Sequence, residues 1–250
     1  MKITTWKIAS SLVAAALVGT GLMTLPACSS NDNKSNTANT ENTAQVNTNE
    51  NSNATTDSNL ITKDDISGPY ASGIHHVELV VDGYDPITIE VDADAAPVST
   101  WNFCTLVNDG FYDGLSFYRF VEGFCMQGGS SNYSAASDPN STAKHIVGEF
   151  AYNGIENPLA EKFGRGTVAM ARSSDKDSAD TTFFVTLGGG ANVSASLNKQ
   201  YAAFGTIDED GMEIVDQIVS NYIGNVDDSS SGSISNKEKQ AIIKSATVTD

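Results

Sequence analysis

Thirteen residues from Phe117 to Gly129, FYRFVEGFCMQGG, constrain this 250-residue chain more tightly than any other stretch. Phe117 to Val121 is an aromatic and β-branched run of strand composition, and Glu122-Gly123 is a turn dipeptide. Phe124 to Gln127 then resumes an extended run, and Gly128-Gly129 lets the backbone pass close to a neighbour. Arg119 stands out in this pattern. A permanently charged guanidinium among Tyr118, Phe120, Val121 and Phe124 must be paired, reach water along its stem, or be held ready for a ligand. Taken alone, the stretch fits a structural ion pair or a solvated edge arginine as well as a site.

The rest of the last two thirds reads as many short strands. Ile74 to Val81 and Ile87 to Val91 alternate around a turn at Asp82 to Asp85, which predicts a hairpin. Gly166 to Ala171, Thr182 to Leu187, Tyr201 to Ile207 and Ala241 to Val248 add four strands, and Ser130 to Ala143 reads as a polar surface loop. Two helices are expected. One spans Ala95 to Asp109, with Pro97 in its first turn and Gly110 as its stop; the other spans Met212 to Ser220 after an acidic turn. Short strands separated by turns, with two helices, predict a mostly β fold closed as an antiparallel barrel.

The first third has another character. Lys2 and Lys7 precede an apolar run from Ile8 to Leu25 that ends on Leu25-Pro26-Ala27-Cys28, the pattern of a bacterial lipoprotein signal closing on a lipidated cysteine. A retained transmembrane anchor and a plain signal peptide that stops near a cysteine compete with that reading; the small residues, Thr20 and Thr24 count against the anchor. From Ser29 to about Ser67 the composition is polar and almost free of aliphatics, too poor in apolar surface to offset its ordering entropy. The expected organisation is a signal over 1–27, a lipidated Cys28 with a disordered polar tether over 28–68, and one folded domain over 69–250. The protein is then extracytoplasmic, monomeric, and held to a bacterial membrane by lipid alone.

Charge and motif content narrow the chemistry. A net charge of −17 makes nucleic acid and anionic head groups poor partners. Neither G-x-S-x-G nor a phosphate-cradling G-x-x-x-x-G-K occurs, so hydrolysis and phosphoryl transfer have no residues to carry them. His75-His76 lacks metal-ligand spacing, the acidic run at Asp208 to Asp210 lacks that of a calcium loop, and neither metal nor cofactor is expected. Cys104 on the first helix and Cys125 in the signature are expected as thiols rather than as a disulfide.

The signature stretch resembles F-[HY]-R-x-x-x-G-F-x-x-Q-G-G of the cyclophilin family of peptidyl-prolyl cis/trans isomerases. Further segments similar to that family stand in order: APVSTWNF (Ala96 to Phe103), GEFAYNGIENPL (Gly148 to Leu159), RGTVAMAR (Arg165 to Arg172), TTFFVTL (Thr181 to Leu187), LNKQYAAFG (Leu197 to Gly205) and GMEIVDQI (Gly211 to Ile218). The resemblance covers roughly residues 74 to 250 and implies an eight-stranded barrel capped by two helices. Its activity would be isomerisation of X-Pro bonds in exported or surface proteins, with proline-containing segments as partners.

Position by position, the resemblance makes Arg119 the donor to the twisted imide, with Gln127 orienting it. Phe124, Phe184 and Leu197 would line the proline pocket, Ala171 would pair with the extended peptide, and Tyr201 would close the far side. The chain departs from the family at Cys125, where Met is usual, and at Thr182, where Gln is usual; both fall at substrate-binding positions. Ser196 stands where an aromatic residue normally precedes Leu197. These departures leave open an alternative, a weakly active module that binds proline-containing segments as a chaperone. A third reading, a solute-binding lipoprotein, needs two α/β lobes that this strand-rich chain does not offer.

Overall fold

The computed structural model describes residues 59–133, 143–188 and 191–250. The expected signal, Cys28 and most of the expected tether lie outside the described residues, as does most of the loop expected over 130–143. In chain order the elements are β1 (Leu60–Ile61), β2 (Ile74–Val81), β3 (Ile87–Asp92), α1 (Pro97–Asn108), β4 (Ser116–Val121) and β5 (Cys125–Gly128). There follow β6 (His145–Ile146), β7 (Thr167–Met170), β8 (Phe183–Thr186), α2 (Ala191–Leu197), β9 (Ala203–Thr206), α3 (Glu209–Tyr222) and β10 (Ala241–Val248).

Eight of these strands close into an antiparallel barrel in the order β10-β2-β3-β9-β7-β8-β5-β4. Alternation drives the closure. Val77, Leu79 and Val81 of β2 and Ile87, Ile89 and Val91 of β3 are buried on one face, so a slip of one residue would turn the whole apolar set to water. The core is aromatic where α1 meets the sheet: the Phe103 ring lies 5.3 Å from Tyr112, 5.2 Å from Phe183 and 5.0 Å from Phe204. Tilted and edge-on pairs at such separations add to simple burial.

Both longer helices receive their N-terminal acceptors from side chains. Asp208 caps α3 by accepting from Gly211 N–H at 2.9 Å, so that helix begins inside the acidic run rather than after it. Ala96, the residue before α1, has no side chain that can cap. Glu149 supplies the acceptor from a distant loop, taking Val98 N–H at 3.0 Å, Ser99 N–H at 2.8 Å and Ser99 Oγ–H at 2.7 Å. A carboxylate there faces the positive end of the helix dipole. Burial nevertheless pushes the Glu149 carboxyl above its ordinary range, against the pull of those hydrogen bonds.

Two expectations are corrected. Residues 59–68, grouped with the tether on composition, carry structure: Leu60 and Ile61 pair in parallel with His145 and Ile146, and Ser67 C=O accepts from Trp101 Nε1–H at 2.9 Å. Residues 191–197, where no helix was expected, form α2, so a third helix joins the expected two. β1 and β6 form a small sheet of their own beside the barrel.

Candidate active site

Arg119 reaches its place through a bulge. In the β4–β5 ladder Phe117 pairs with Gly128 and Arg119 with Gln127, so Tyr118 is an extra residue. Phe117 and Phe120 both point into the core, fully buried, with two residues between them where a regular strand would allow an even spacing. The bulge therefore turns Tyr118 and Arg119 to the outer wall together. Gly128 makes it fit, since a Cβ there would lie 2.6 Å from the Ser116 carbonyl oxygen.

Register then sets a row across three strands. Arg119 faces Gln127 on β5, and Gln127 faces Phe184 on β8, which places a cation, an amide and an aromatic ring side by side. Three acceptors hold the guanidinium: Nε–H donates to Ser231 C=O at 2.7 Å, and Nη1 donates to Cys125 Sγ at 3.0 Å and to Gln127 Oε1 at 3.1 Å. Gln127 Nε2 donates in turn to the Tyr118 hydroxyl at 3.3 Å. That bond fixes the amide with its oxygen toward the arginine. Among the described residues no acceptor takes Nη2, so this nitrogen remains to address a bound molecule.

Beside the guanidinium lies a cavity of about 240 Å³, walled by Phe124, Cys125, Gln127, Ala171, Arg172, Phe184, Leu197 and Tyr201. It is smaller than the roughly 300 to 1,000 Å³ of ordinary small-molecule pockets and suits one compact ring. Phe184 and Leu197 are almost wholly buried and form its floor. Tyr201 stands edge-on to Phe184 at 5.7 Å, and the Arg119 guanidinium carbon is 6.0 Å from the Phe124 ring centre. A larger hollow of about 720 Å³ around Asp82, Tyr84, Asn221 and Lys244 lacks such an apolar floor.

Burial pushes the Cys125 thiol up to about 11, with the Arg119 charge pulling the other way, so its sulfur meets the guanidinium as a neutral acceptor. Burial likewise raises the Tyr118 phenol, which stays protonated. Cys104 and Cys125 are both free thiols. Among the described residues there is no cluster of His, Cys, Asp or Glu able to hold a metal.

The expected residues converge with one exception. Thr182 is not in the pocket wall; its carbonyl accepts from Ala171 N–H at 2.8 Å and so braces Ala171 from behind. Because that N–H is engaged, what Ala171 can offer a peptide is its carbonyl. Ser196 is exposed on α2, with its hydroxyl donating back to Val193 C=O at 2.9 Å, and is also absent from the wall. Met126 and Phe183, sequence neighbours of Gln127 and Phe184, belong to the core.

Two contributors escaped the sequence reading. Arg172 donates Nε–H to Gln200 C=O at 2.9 Å, and its guanidinium carbon lies 4.6 Å from the Tyr201 ring centre and 5.1 Å from that of Phe150, which steadies the pocket's far side. Its signal was present, as a cation closing the apolar run GTVAMA. Ser231 acts through a carbonyl, which carries no signal in residue identity.

Fold and site together define an antiparallel barrel that bears on its outer wall a ring-sized apolar pocket headed by an immobilised cationic donor. Residues 76–248 match the family described as cyclophilin type peptidyl-prolyl cis-trans isomerase/CLD, and the chain belongs to that family. Peptidyl-prolyl cis-trans isomerase A of Dickeya dadantii is 38% identical over 133 residues, 53% of this chain and 65% of that protein, so the match spans just under two thirds of that relative. A peptidyl-prolyl cis-trans isomerase of Acinetobacter baylyi is 36% identical over 157 residues, 62% of this chain and 76% of that protein. A cyclophilin-type isomerase structure from Cryptosporidium parvum shares the fold with TM-score 0.55 at 20% identity, covering 71% of this chain and 99% of its own. A second structure of that protein, in the presence of the dipeptide Ala-Pro, gives TM-score 0.54 at 21% identity and covers 70% and 99%.

Proposed function

We propose that this protein is a peptidyl-prolyl cis-trans isomerase acting on proline-containing segments of exported or surface proteins, and that it sits outside the cytoplasm as a monomer anchored through Cys28. The observation that carries the activity is the pinned guanidinium of Arg119 at the mouth of the Phe124, Phe184 and Leu197 pocket. An X-Pro bond resists rotation because the nitrogen lone pair is delocalised into the carbonyl, and the uncatalysed reaction takes tens of seconds. With the pyrrolidine ring seated on Phe184 and Leu197, the free Nη2–H is aimed at the prolyl nitrogen as it pyramidalises. A donor there draws the lone pair out of resonance and stabilises the twisted state over either planar one. The apolar wall keeps water from competing for it. The Ala-Pro dipeptide present with the Cryptosporidium relative accords with a proline-sized ligand for this pocket.

The alternative of a weakly active binding module drew on Thr182 and Ser196. Neither lines the pocket, and the assembled set of Arg119, Phe124, Gln127 and Phe184 supports the enzyme over that alternative. Isomerisation of a short X-Pro peptide by the purified chain, followed by exchange NMR or a protease-coupled assay, tests the activity; no acceleration over the spontaneous rate would sink it.

For the address, the lipoprotein signal pattern and the net charge support lipid attachment without any other hold on a bilayer. No helix among the described residues is long and apolar enough to cross a membrane. Cys28→Ala is expected to move the protein from the membrane fraction to the soluble one. Sedimentation with membranes unchanged by the substitution would argue for a retained anchor.

A further inference from the structure

The firmest bond to the Arg119 guanidinium comes from outside the signature, from the Ser231 carbonyl, 112 residues away in sequence. Residues 227–235, DDSSSGSIS, run back along β4 and are fastened to it on both sides of Arg119. Phe120 N–H donates to Gly232 C=O at 2.8 Å, and Ile234 N–H donates to Tyr118 C=O at 2.8 Å. Gly232 takes a positive φ of 78°, and a Cβ there would sit 2.6 Å from the Phe120 carbonyl oxygen. The segment thus lies against the strand more closely than any other residue type would allow.

Two carboxylates shape this segment: Asp227 accepts from Ser235 N–H at 2.9 Å and Ser235 Oγ–H at 3.1 Å, and Asp228 holds the part that meets Arg119. Asp228 Oδ1 accepts from Ser230 N–H at 3.0 Å and Ser230 Oγ–H at 2.6 Å, and Oδ2 accepts from Ser231 Oγ–H at 2.7 Å. Its backbone carbonyl accepts from Gly232 N–H at 2.7 Å. These bonds hold the Asp228 carboxyl down to about 2, so it is charged across the working range although exposed to solvent. The serine hydroxyl and the serine carbonyl belong to one residue, so fixing Ser231 Oγ fixes the carbonyl that receives Nε–H.

We propose that Asp228 is a positioning residue for Arg119: its carboxylate locks Ser231, and the Ser231 carbonyl sets the plane in which the guanidinium meets the prolyl nitrogen. The inference rests on the isomerase reading for its effect on turnover, but not for its effect on the arginine. Gln127 and Cys125 hold Nη1 from the β5 side; Ser231 holds Nε from the opposite side. A planar group gripped at two edges cannot swing about its stem. Released at one edge, it can.

The test uses the full chain, single substitutions and one double variant. Asp228→Ala and Ser231→Ala each lower kcat on an X-Pro peptide by roughly 10-fold, as expected for a displaced catalytic group, while KM changes by less than about 2-fold. The double variant is no slower than Asp228→Ala alone, because both act through the same bond. Ser230→Ala removes a hydrogen bond to Asp228 that does not lead to Arg119, and leaves kcat at the parent value. Independently, the Arg119 Nε–H resonance, assigned by its loss in Arg119→Lys, exchanges slowly with water in the parent and in Ser230→Ala and rapidly in the other two variants. Parent-like kcat and exchange in Asp228→Ala would overturn the proposal, as would a loss confined to KM or shared by Ser230→Ala. If the parent itself fails to isomerise the peptide, the function assigned above fails, and the Nε–H exchange still decides the positioning claim.

Discussion

At the scale of single residues, the site depends on how completely one side chain is immobilised. Arg119 has its Nε and Nη1 donors engaged, and no acceptor among the described residues takes Nη2, so truncation removes the donor proposed to act on the twisted state while leaving the core side chains in place. Arg119→Ala is expected to lower kcat/KM by about 100-fold or more while thermal unfolding stays near the parent, since loss of such a donor is worth roughly 2.7 to 4 kcal/mol. Arg119→Lys should recover little, because an ammonium cannot span Ser231 and Gln127 while also presenting a third donor. Equal peptide turnover by parent and Ala variant would remove Arg119 from the chemistry. Legibility at this scale was uneven. Arg119, Gln127, Phe124 and Phe184 could be read from identity and spacing because their types are what the chemistry needs. Ser231 could not, because any residue offers a carbonyl. Cys125 was expected only to touch substrate, and its sulfur turns out also to accept from the arginine.

At the scale of elements, the strands were legible and the connections were not. β2 and β10 were bounded as observed, and the other barrel strands to within a residue or two, because alternation against a curved core leaves a period in the sequence. The start of α1 was blurred because its cap is not local: Glu149 stands far off in the chain yet accepts from two of its first N–H groups. Glu149→Ala leaves these donors buried without a partner. It is expected to destabilise the protein by about 2 to 4 kcal/mol, read as a lower urea midpoint at unchanged m-value, with Glu149→Gln costing less because one acceptor survives. A midpoint unmoved by Glu149→Ala would mean that water satisfies the helix end. α2 was missed because AlaAsnValSerAlaSerLeu follows a run of glycines and carries no cap signature. The ordered start at Leu60 was missed because two aliphatic residues in a polar run look too few to matter, although a parallel partner at His145 and Ile146 suffices.

The whole chain carries a charge of −17, and among the described residues some titrating groups are sealed in. Burial pushes the Cys104 thiol up to about 12 and the Cys125 thiol up to about 11, and it raises the Tyr112 phenol well above its usual value. The folded state therefore keeps protons that the unfolded chain gives up from about pH 9. The stability these groups contribute is complete below that pH and is lost as pH rises toward 11 and 12, by at most about 1.4 kcal/mol per pH unit for each thiol. The melting midpoint is expected to fall steadily above pH 9, and less steeply in Cys104→Ala; identical slopes for parent and variant would exclude the buried thiol as a cause.

The small sheet of β1 and β6 bears on how the barrel would respond to being pulled. Any tension on the chain ahead of Asn59 meets the barrel first through Leu60 and Ile61, which share a two-rung parallel ladder with β6, with Val147 N–H donating to Ile61 C=O at 2.9 Å. A pull along the strand loads these rungs together in shear; a pull across it opens them one after another. A steady tug along the strand is shared between its bonds, and a sideways one peels the lead segment away before it reaches the eight strands that carry the pocket.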